Sequence, residues 1–317
     1  MSRIAYLLLT NAGVTGGQKV ILRHVEALAD LGFNAVCIVD RDREPPAWLQ
    51  HHAPLDRSGE VRPDDIIVIP DDGVPALGMA GGRDGRTVVL CQSSAPYLAV
   101  SGGLKALSGS PERLSTFIAV SPAHGAMLQR LFPAASINIV PCFVDDRMFR
   151  PGEKQFTGAM IPRKRALEAT AIRALARHLS PASAELGWHR IEQASEGQVA
   201  GVFAGASIYL SLSRMESVGL TTLEALASGC VCAGFTGLGG RQYATPDNGF
   251  WVEEDDCLAA ADALARAISL VRAGGAPLRR YVDAALATAA QWSYAQFRQD
   301  LEATWMRLAP DARTRTS

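Results

Sequence analysis

Apolar runs that are typical of buried strands alternate with segments of helical periodicity along most of this 317-residue chain. The strand-like runs lie at 4–9, 35–39, 66–69, 87–91, 117–120, 137–140, 206–212, 231–235 and 249–252. The helical patterns lie at 18–31, 122–131, 165–178, 198–204, 257–273 and 294–308. Because this alternation is typical of βα units, it predicts an α/β protein whose parallel sheets are covered by helices.

The alternation is interrupted at 145–160, where Asp, Pro and Gly are frequent. We interpret this segment as a linker and hinge, and the chain is long enough for a core on each side of it. The expected architecture is two Rossmann-like domains facing a central cleft. The first domain would span 1–145 and be joined by a C-terminal helix at about 292–310. The second would span 146–291.

Composition excludes several classes of protein. A hydrophobic content of 48% with 20% charged residues is typical of globular proteins, and a formal charge of −1 argues against a nucleic-acid partner. No apolar run approaches the ~20 residues that span a bilayer, and the start lacks the layout of a signal peptide. Six cysteines without a Cys-x-x-Cys pair predict reduced core residues. We therefore expect a cytoplasmic protein with at most peripheral membrane association.

Two glutamates lie eight residues apart after the strand-like run at 206–212. Glu216 falls in the following loop, and Glu224 falls in the first turn of a helix that Thr221 is predicted to open. Ligands of open α/β sheets bind at the carboxyl ends of the strands, which makes both acids candidate site residues. Thr221 and Glu224 also match a capping box, which is a purely structural alternative for Glu224 but not for Glu216.

A tight basic cluster, Pro162-Arg163-Lys164-Arg165, precedes a predicted helix. Such cations can neutralise a diphosphate, and we rank Lys164 and Arg163 above Arg165. The alternative is a solvated helix end, although cations near a helix N-terminus oppose the helix dipole.

Glycines also cluster in the first strand-to-helix loop, at Gly13, Gly16 and Gly17. Glycine lets the backbone approach a ligand closely, and a helix N-terminus offers N–H groups to phosphate. A tight turn without a ligand is the alternative.

In their order and spacing, these elements resemble the retaining, nucleotide-sugar-dependent glycosyltransferases of GT-B architecture, the glycosyl transferases group 1. Glu216 and Glu224 match the Glu-x7-Glu motif of that family. Residues 139–151 resemble its inter-domain segment, usually written Ile-Pro-Asn-Gly-Val-Asp…Phe-x-Pro, with Cys142 and Phe143 in place of Asn and Gly. The glycines at 229–240 and the Asn-Gly turn at 248–249 follow in the family's order. The resemblance is firm over 196–256, fair over 4–39 and 117–151, and weak elsewhere.

The resemblance implies transfer of a sugar from a nucleotide-diphosphate donor, such as a UDP- or GDP-sugar, to an acceptor hydroxyl with retention of configuration. Glu216 would contact the donor sugar and Glu224 the ribose, while Arg163 and Lys164 would hold the diphosphate. The donor would also meet the backbone of Gly16, Gly17, Ser217, Val218, Gly219, Leu220 and Thr221. No metal and no cofactor would be required, and the acceptor would be an unknown sugar or lipid-linked molecule.

Two departures keep other functions open. Only about 40 residues separate Lys164 from Ala206, where the family usually fits two additional strands, so we expect a shortened second domain. The segment 90–94 lacks the His that many relatives carry near the reacting sugar. A non-catalytic or degenerate sugar-nucleotide-binding subunit and a nucleotide-sugar epimerase are the alternatives. Asp40-Arg41-Asp42 matches the Asp-x-Asp of metal-dependent sugar transferases, but we interpret it as a solvated loop.

Overall fold

The computed structural model describes residues 2–9, 15–40, 44, 47–82 and 85–314. Asp42 and Gly13 therefore lie outside the described residues. The chain divides into two compact units, one of Met1–Cys142 with Ala295–Ser317 and one of Phe143–Tyr294.

The first unit contains a parallel sheet of seven strands. Its strands are β1 (Arg3–Leu8), β2 (Ala35–Val39), β3 (Leu55–Asp56), β4 (Asp65–Pro70), β5 (Thr87–Cys91), β6 (Thr116–Ala119) and β7 (Ser136–Ile139). Its helices are α1 (Gly16–Asp30), α2 (Val74–Ala80), α3 (Ala95–Val100), α4 (Gly103–Ser108) and α5 (Pro122–Leu131). The strand order is β3-β2-β1-β4-β5-β6-β7. Strands such as β4 are buried on both faces, which explains their nearly continuous apolar sequence.

The second unit contains a parallel sheet of five strands in the order β12-β11-β10-β8-β9. Its strands are β8 (Gln155–Met160), β9 (Gly187–Arg190), β10 (Ala206–Ser213), β11 (Val231–Thr236) and β12 (Gly249–Val252). Its helices are α6 (Ala166–Leu179), α7 (Glu196–Gly205), α8 (Leu220–Ala227), α9 (Gly237–Gly240), α10 (Cys257–Ala273) and α11 (Gly275–Ala290). Ile208, Leu210 and Leu212 of β10 pack with the inner faces of α6 and α10 in its core.

The last helix, α12 (Tyr294–Leu308), returns the chain to the first unit. Trp305 is fully buried there, with its ring 6.2 Å from Tyr6, and Phe297 packs 5.2 Å from His24. Arg307 donates a 2.8 Å hydrogen bond to the side chain of Asn138. The C-terminal helix thus completes the core of the unit that the N-terminus begins.

The parallel α/β fold that the alternation predicts is confirmed. The interpretation of 145–160 as a linker is wrong in its second half, because Gln155–Met160 forms β8 next to β10 in the sheet. Polar residues and Gly158 hide this strand in the sequence. A side chain at 158 would meet the ring of Trp188 at 2.8 Å, so the glycine is required by packing. Between Lys164 and Ala206, all of which the structure describes, β9 is the one strand.

Each sheet has one point where the strand order reverses. In the sheet of the first unit, β1 has β2, the next strand of the chain, on one side and β4 on the other. In the sheet of the second unit, β8 has β9, the next strand of the chain, on one side and β10 on the other. Open α/β sheets bind ligands in the crevice at the carboxyl ends of the strands at such a reversal. The candidate positions are therefore the loops after β1 and β4, and the loops after β8 and β10.

Candidate functional site

The reversal in the second unit brings together the two loops that carry the predicted site residues. The loop after β8 contains Arg163 and Lys164, and the loop after β10, residues 214–219, contains Glu216. We refer to residues 214–219 as the Glu216 loop. Their convergence follows from the parallel pairing of β8 with β10, which brings the carboxyl ends of both strands to the same edge.

An ion pair joins these loops. The Lys164 ammonium lies 2.8 Å from Oε1 of Glu216, and the Arg214 backbone N–H donates a 2.6 Å hydrogen bond to Oε2. Burial raises the pKa of the Glu216 carboxyl, but the charge of Lys164 and these hydrogen bonds outweigh it and hold the pKa below its ordinary value. Glu216 is therefore an ionised carboxylate at neutral pH.

Arg165 has a structural role that its two neighbours in the cluster do not share. Its side chain is 1% exposed and lies over the Phe235 ring, 4.4 Å from the centroid. It donates a 3.1 Å hydrogen bond to the Ser213 carbonyl and pairs with Glu254 and Asp255. Arg163 and Lys164 are exposed instead. The cluster therefore divides into one buried side chain, Arg165, and two exposed cations, while the ranking of Lys164 and Arg163 as diphosphate ligands stays a prediction.

The helix that follows the Glu216 loop begins differently from the prediction. Gly219 is its N-cap, with φ of +80° and ψ of +52°, and no side chain caps the helix. Thr221 is the second helical residue and Glu224 the fifth, so the predicted capping box and first-turn position are wrong. The left-handed conformation at Gly219, which glycine adopts without strain, moves the helix start ahead of Thr221. Glu224 therefore does not lie at a capping position of this helix.

Glu224 is 7% exposed on α8. Burial raises the pKa of the Tyr243 phenol, and the charges of Glu216 and Glu224 both add to this effect. The two carboxylates therefore act on the same buried tyrosine.

Thr222 holds this end of α8 against β10 because its hydroxyl lies 3.1 Å from that of Ser211 and 3.2 Å from that of Ser213.

A segment behind the Glu216 loop, which the sequence did not single out as functional, makes several contacts with it. We refer to residues 237–243 as the backing segment. Gly239 lies against the Ser217–Val218 peptide, where a Cβ would come within 2.4 Å of the Val218 nitrogen. The Tyr243 hydroxyl donates a 2.9 Å hydrogen bond to the Gly219 carbonyl. Residues 237–240 form the short helix α9.

In the first unit, Gly16 and Gly17 are the first two residues of α1, with Thr15 as its N-cap. The Gln92 side chain lies 3.6 Å from where a Cβ of Gly17 would be. Asp71, which directly follows β4, is 1% exposed. The sequence did not indicate it as a candidate site residue. Its carboxylate accepts from the backbone N–H groups of Gln92 (3.1 Å) and Ser93 (2.9 Å), while burial raises its pKa to about 6. Strand order would have identified this position, since it lies at the sheet reversal.

Within the described ranges, no group of three or more His, Cys, Asp or Glu side chains is placed to hold a metal ion. No helix in this part of the chain is long and apolar enough to cross a membrane. The six cysteines are unpaired, five of them buried.

Comparison with known proteins shows a family match over the second unit and similar folds over the whole chain. Residues 159–270 match the model of the glycosyl transferases group 1. An alpha-1,6-glucosyltransferase of Actinobacillus pleuropneumoniae serotype 7 is 27% identical over 273 residues, which cover 83% of this chain and 82% of that protein.

Two solved structures show the same fold. Sucrose-phosphate synthase from Thermosynechococcus elongatus has a TM-score of 0.73 at 15% identity, covering 98% of this chain and all of that one. Anabaena HepE, in complex with UDP and glucose, has a TM-score of 0.67 at 12% identity, covering 95% and 98%. The group 1 domain at 159–270, the glucosyltransferase relative and the fold of these neighbours together support a glycosyltransferase of GT-B fold.

Proposed function

We propose that this chain transfers a sugar from a nucleoside-diphosphate donor to an acceptor hydroxyl with retention of anomeric configuration, and that UDP-glucose is the first donor to test. The observation that carries the proposal is the Lys164–Glu216 ion pair at the sheet reversal of the second unit. The relative named as a glucosyltransferase and the neighbours in complex with UDP and glucose support the choice of donor.

The second unit offers complementary charge for such a donor. Arg163 and Lys164 are exposed cations, and Lys164 contacts Glu216 in the loop that leads into α8. This eight-residue helix leaves its first N–H groups without intrahelical partners. Cations and a helix N-terminus both stabilise phosphate. These groups would bind the diphosphate and stabilise the negative charge that it gains as the leaving group.

The carboxylates would act on the other parts of the donor. Ionised Glu216 would accept hydrogen bonds from the sugar and stabilise positive charge at its anomeric carbon, and Glu224 would bind the ribose. The bond from the anomeric carbon to the phosphate oxygen breaks, and a bond to the acceptor oxygen forms on the same face. The acceptor's proton passes to the departing phosphate, so neither a histidine at 90–94 nor a metal is required.

Several parts of the proposal come from the resemblance described above. Gly16 and Gly17 would approach the donor through their backbone, as would Ser217 to Thr221. The acceptor would be a sugar or a lipid-linked molecule, reached with at most peripheral membrane contact. A cytoplasmic location would supply the nucleotide-sugar and keep the cysteines reduced.

Transfer is tested by incubating the protein with UDP-glucose and a panel of sugar and lipid-linked acceptors, in buffer containing EDTA. We expect UDP release and an α-linked product, read from the anomeric coupling constant by NMR. A β-linked product would exclude retention, and activity that returns only with a divalent cation would exclude the metal-independent mechanism.

The matched variants are Glu216→Gln and Glu192→Gln. Glu192 is an exposed carboxylate of the same unit that also pairs with a cation, Arg190, at 2.8 Å. We expect Glu216→Gln to abolish transfer with an unchanged melting temperature, and Glu192→Gln to keep wild-type activity. If Glu216→Gln retains activity within a few-fold, the assignment of Glu216 is wrong. Tight UDP binding without turnover by the wild type would favour the non-catalytic subunit.

A further inference from the structure

Three carbonyl groups of the Glu216 loop accept hydrogen bonds from the backing segment. Leu238 N–H donates a 2.8 Å hydrogen bond to the Arg214 carbonyl, and Tyr243 hydroxyl donates one of 2.9 Å to the Gly219 carbonyl. The Gln242 side-chain amide contacts the Ser217 carbonyl at 3.4 Å. Three of the six carbonyls in this loop are therefore held from one side.

Holding a carbonyl also orients the next amide. A trans peptide is planar, and its C=O and N–H point in opposite directions. The Gly219 carbonyl accepts from the Thr222 N–H at 3.1 Å and the Leu223 N–H at 3.4 Å, and the 2.9 Å bond from Tyr243 adds a third donor. The Tyr243 bond thus helps to direct the Leu220 N–H away from the backing segment. Leu220 is the first residue of α8, so this N–H is one of those that a helix leaves without an intrahelical partner.

Tyr243 is itself held rigidly. Its side chain is buried, and its ring packs edge-to-face against Trp292 with 6.0 Å between centroids. Its backbone carbonyl accepts a 2.7 Å hydrogen bond from the Asn248 side chain. Burial raises the pKa of the phenol well above its ordinary value, so the hydroxyl stays protonated and remains a donor.

We propose that Tyr243 is a positioning residue for the donor's diphosphate, because its hydroxyl fixes the Gly219–Leu220 peptide and presents the Leu220 N–H to a phosphate oxygen. The inference rests on the proposed function of the second unit. Tyr243 would not touch the donor itself, but it would set the direction of the Leu220 N–H, which would. A helix terminus with a fixed amide binds phosphate without reorganisation on binding.

The informative variant is Tyr243→Phe, which removes one hydroxyl and keeps the ring. The Gly219 carbonyl still accepts from the Thr222 N–H at 3.1 Å, so no buried acceptor is left without a partner. We expect the variant to fold with a melting temperature near that of the wild type. Tyr281→Phe is the matched control, since Tyr281 stacks on Phe250 in the same unit and lies outside the backing segment.

The measurement is calorimetric titration of wild type and variants with UDP, UMP and uridine. We expect Tyr243→Phe to weaken UDP binding roughly 3- to 10-fold, the range that one hydrogen bond supplies, and to leave uridine binding unchanged. Gln242→Ala should weaken UDP binding less, because its contact is longer. Tyr281→Phe should bind all three ligands as the wild type does.

The outcomes separate this inference from the proposed function. A wild type that binds no nucleoside diphosphate overturns both. A wild type that binds UDP, with a Tyr243→Phe variant that binds it equally well, overturns the role of Tyr243 alone. Equal losses for UDP and uridine also overturn it, because they indicate a general loosening of the unit and no effect on the phosphates.

Discussion

The Lys164 ammonium lies 2.8 Å from the Glu216 carboxylate, across the loops that end β8 and β10. Each group neutralises the other where a donor would need both. In the proposed reaction, the Lys164 ammonium would turn to the diphosphate and the Glu216 carboxylate to the sugar, so donor binding would exchange this ion pair for two new contacts. The side chains are 39% and 28% exposed, which keeps the strength of the pair, and the cost of opening it, modest.

Lys164→Met should move the pH dependence of transfer. Lys164 lowers the pKa of Glu216, so its removal raises that pKa. If transfer requires ionised Glu216, activity falls as pH drops through this pKa. The acid limb of the kcat/KM profile, which reports the free enzyme, therefore moves to higher pH in the variant. The control is Lys105→Met, an exposed lysine of α4. An acid limb that stays in place would separate Glu216 ionisation from the reaction.

Replacing Arg163 and Lys164 together with Ala should weaken UDP binding much more than uridine binding, because only UDP carries phosphate. The matched control replaces Arg279 and Arg280 of α11, an exposed pair in the same unit, with Ala. Calorimetric titration with both ligands checks this. Equal losses would point to damaged folding instead of a phosphate contact.

Glu224→Gln should weaken UDP and uridine binding alike, since both ligands carry the ribose. No capping contribution of ~0.5–2 kcal/mol should be lost, because the cap of α8 is Gly219. Titration calorimetry and urea unfolding measure the two effects, with Glu192→Gln as control. Uridine affinity equal to the wild type would exclude a ribose contact.

Arg165→Met should lower the free energy of unfolding by about 1–3 kcal/mol, because the buried Ser213 carbonyl loses its hydrogen bond and Glu254 loses its charge partner. Asp255 should contribute little, since its side chain is 67% exposed. Arg163→Met, an adjacent exposed cation, should change the free energy of unfolding by less than about 0.5 kcal/mol. Urea unfolding of both variants checks the contrast, and similar values would contradict the division of the cluster.

His24 should make the first unit sensitive to acid. Burial lowers its pKa to about 3 from 6.5, so below pH 6.5 the unfolded chain binds a proton that the folded chain does not. Stability is fully present above pH 6.5 and is lost as pH falls toward 3, by about 2 kcal/mol at pH 5. His24→Leu should reduce the loss of unfolding free energy between pH 7 and pH 5, which urea unfolding at the two pH values measures. Part of the loss should remain, because burial also lowers the pKa of His124. His178→Gln, at an exposed position, is the control.

Elements with strong apolar periodicity were predictable from the sequence. The bounds of α10 and β12 agree with the prediction, because their patterns are long or bounded by turn residues. β8 was not predictable, since Gly158 and its polar neighbours are explained only by the Trp188 ring beside them. A local sequence pattern does not predict a strand when a tertiary contact determines which residue can occupy a position.

The sequence singled out Glu216, Lys164 and Arg163, which lie in the two loops at the sheet reversal of the second unit, and their roles in donor binding stay predictions. The residues that hold these and the neighbouring loops in place were not predictable. Asp71 follows Pro70 and precedes Asp72-Gly73, which reads as an ordinary polar turn until strand order places it at the reversal. Tyr243 lies 24 residues from the carbonyl that it holds, a separation that no local rule connects.

Gly16 and Gly17 differ from Gly239 in what requires a glycine at the position. A Cβ at Gly16 would meet nothing within 4 Å among the described residues, and one at Gly17 would make ordinary contact, whereas one at Gly239 would overlap backbone. Ala at 16 would even favour α1. In a library of variants sorted first for folding and then for activity, losses at Gly239 would therefore appear in the first sort. Any losses at Gly16 would appear only in the second.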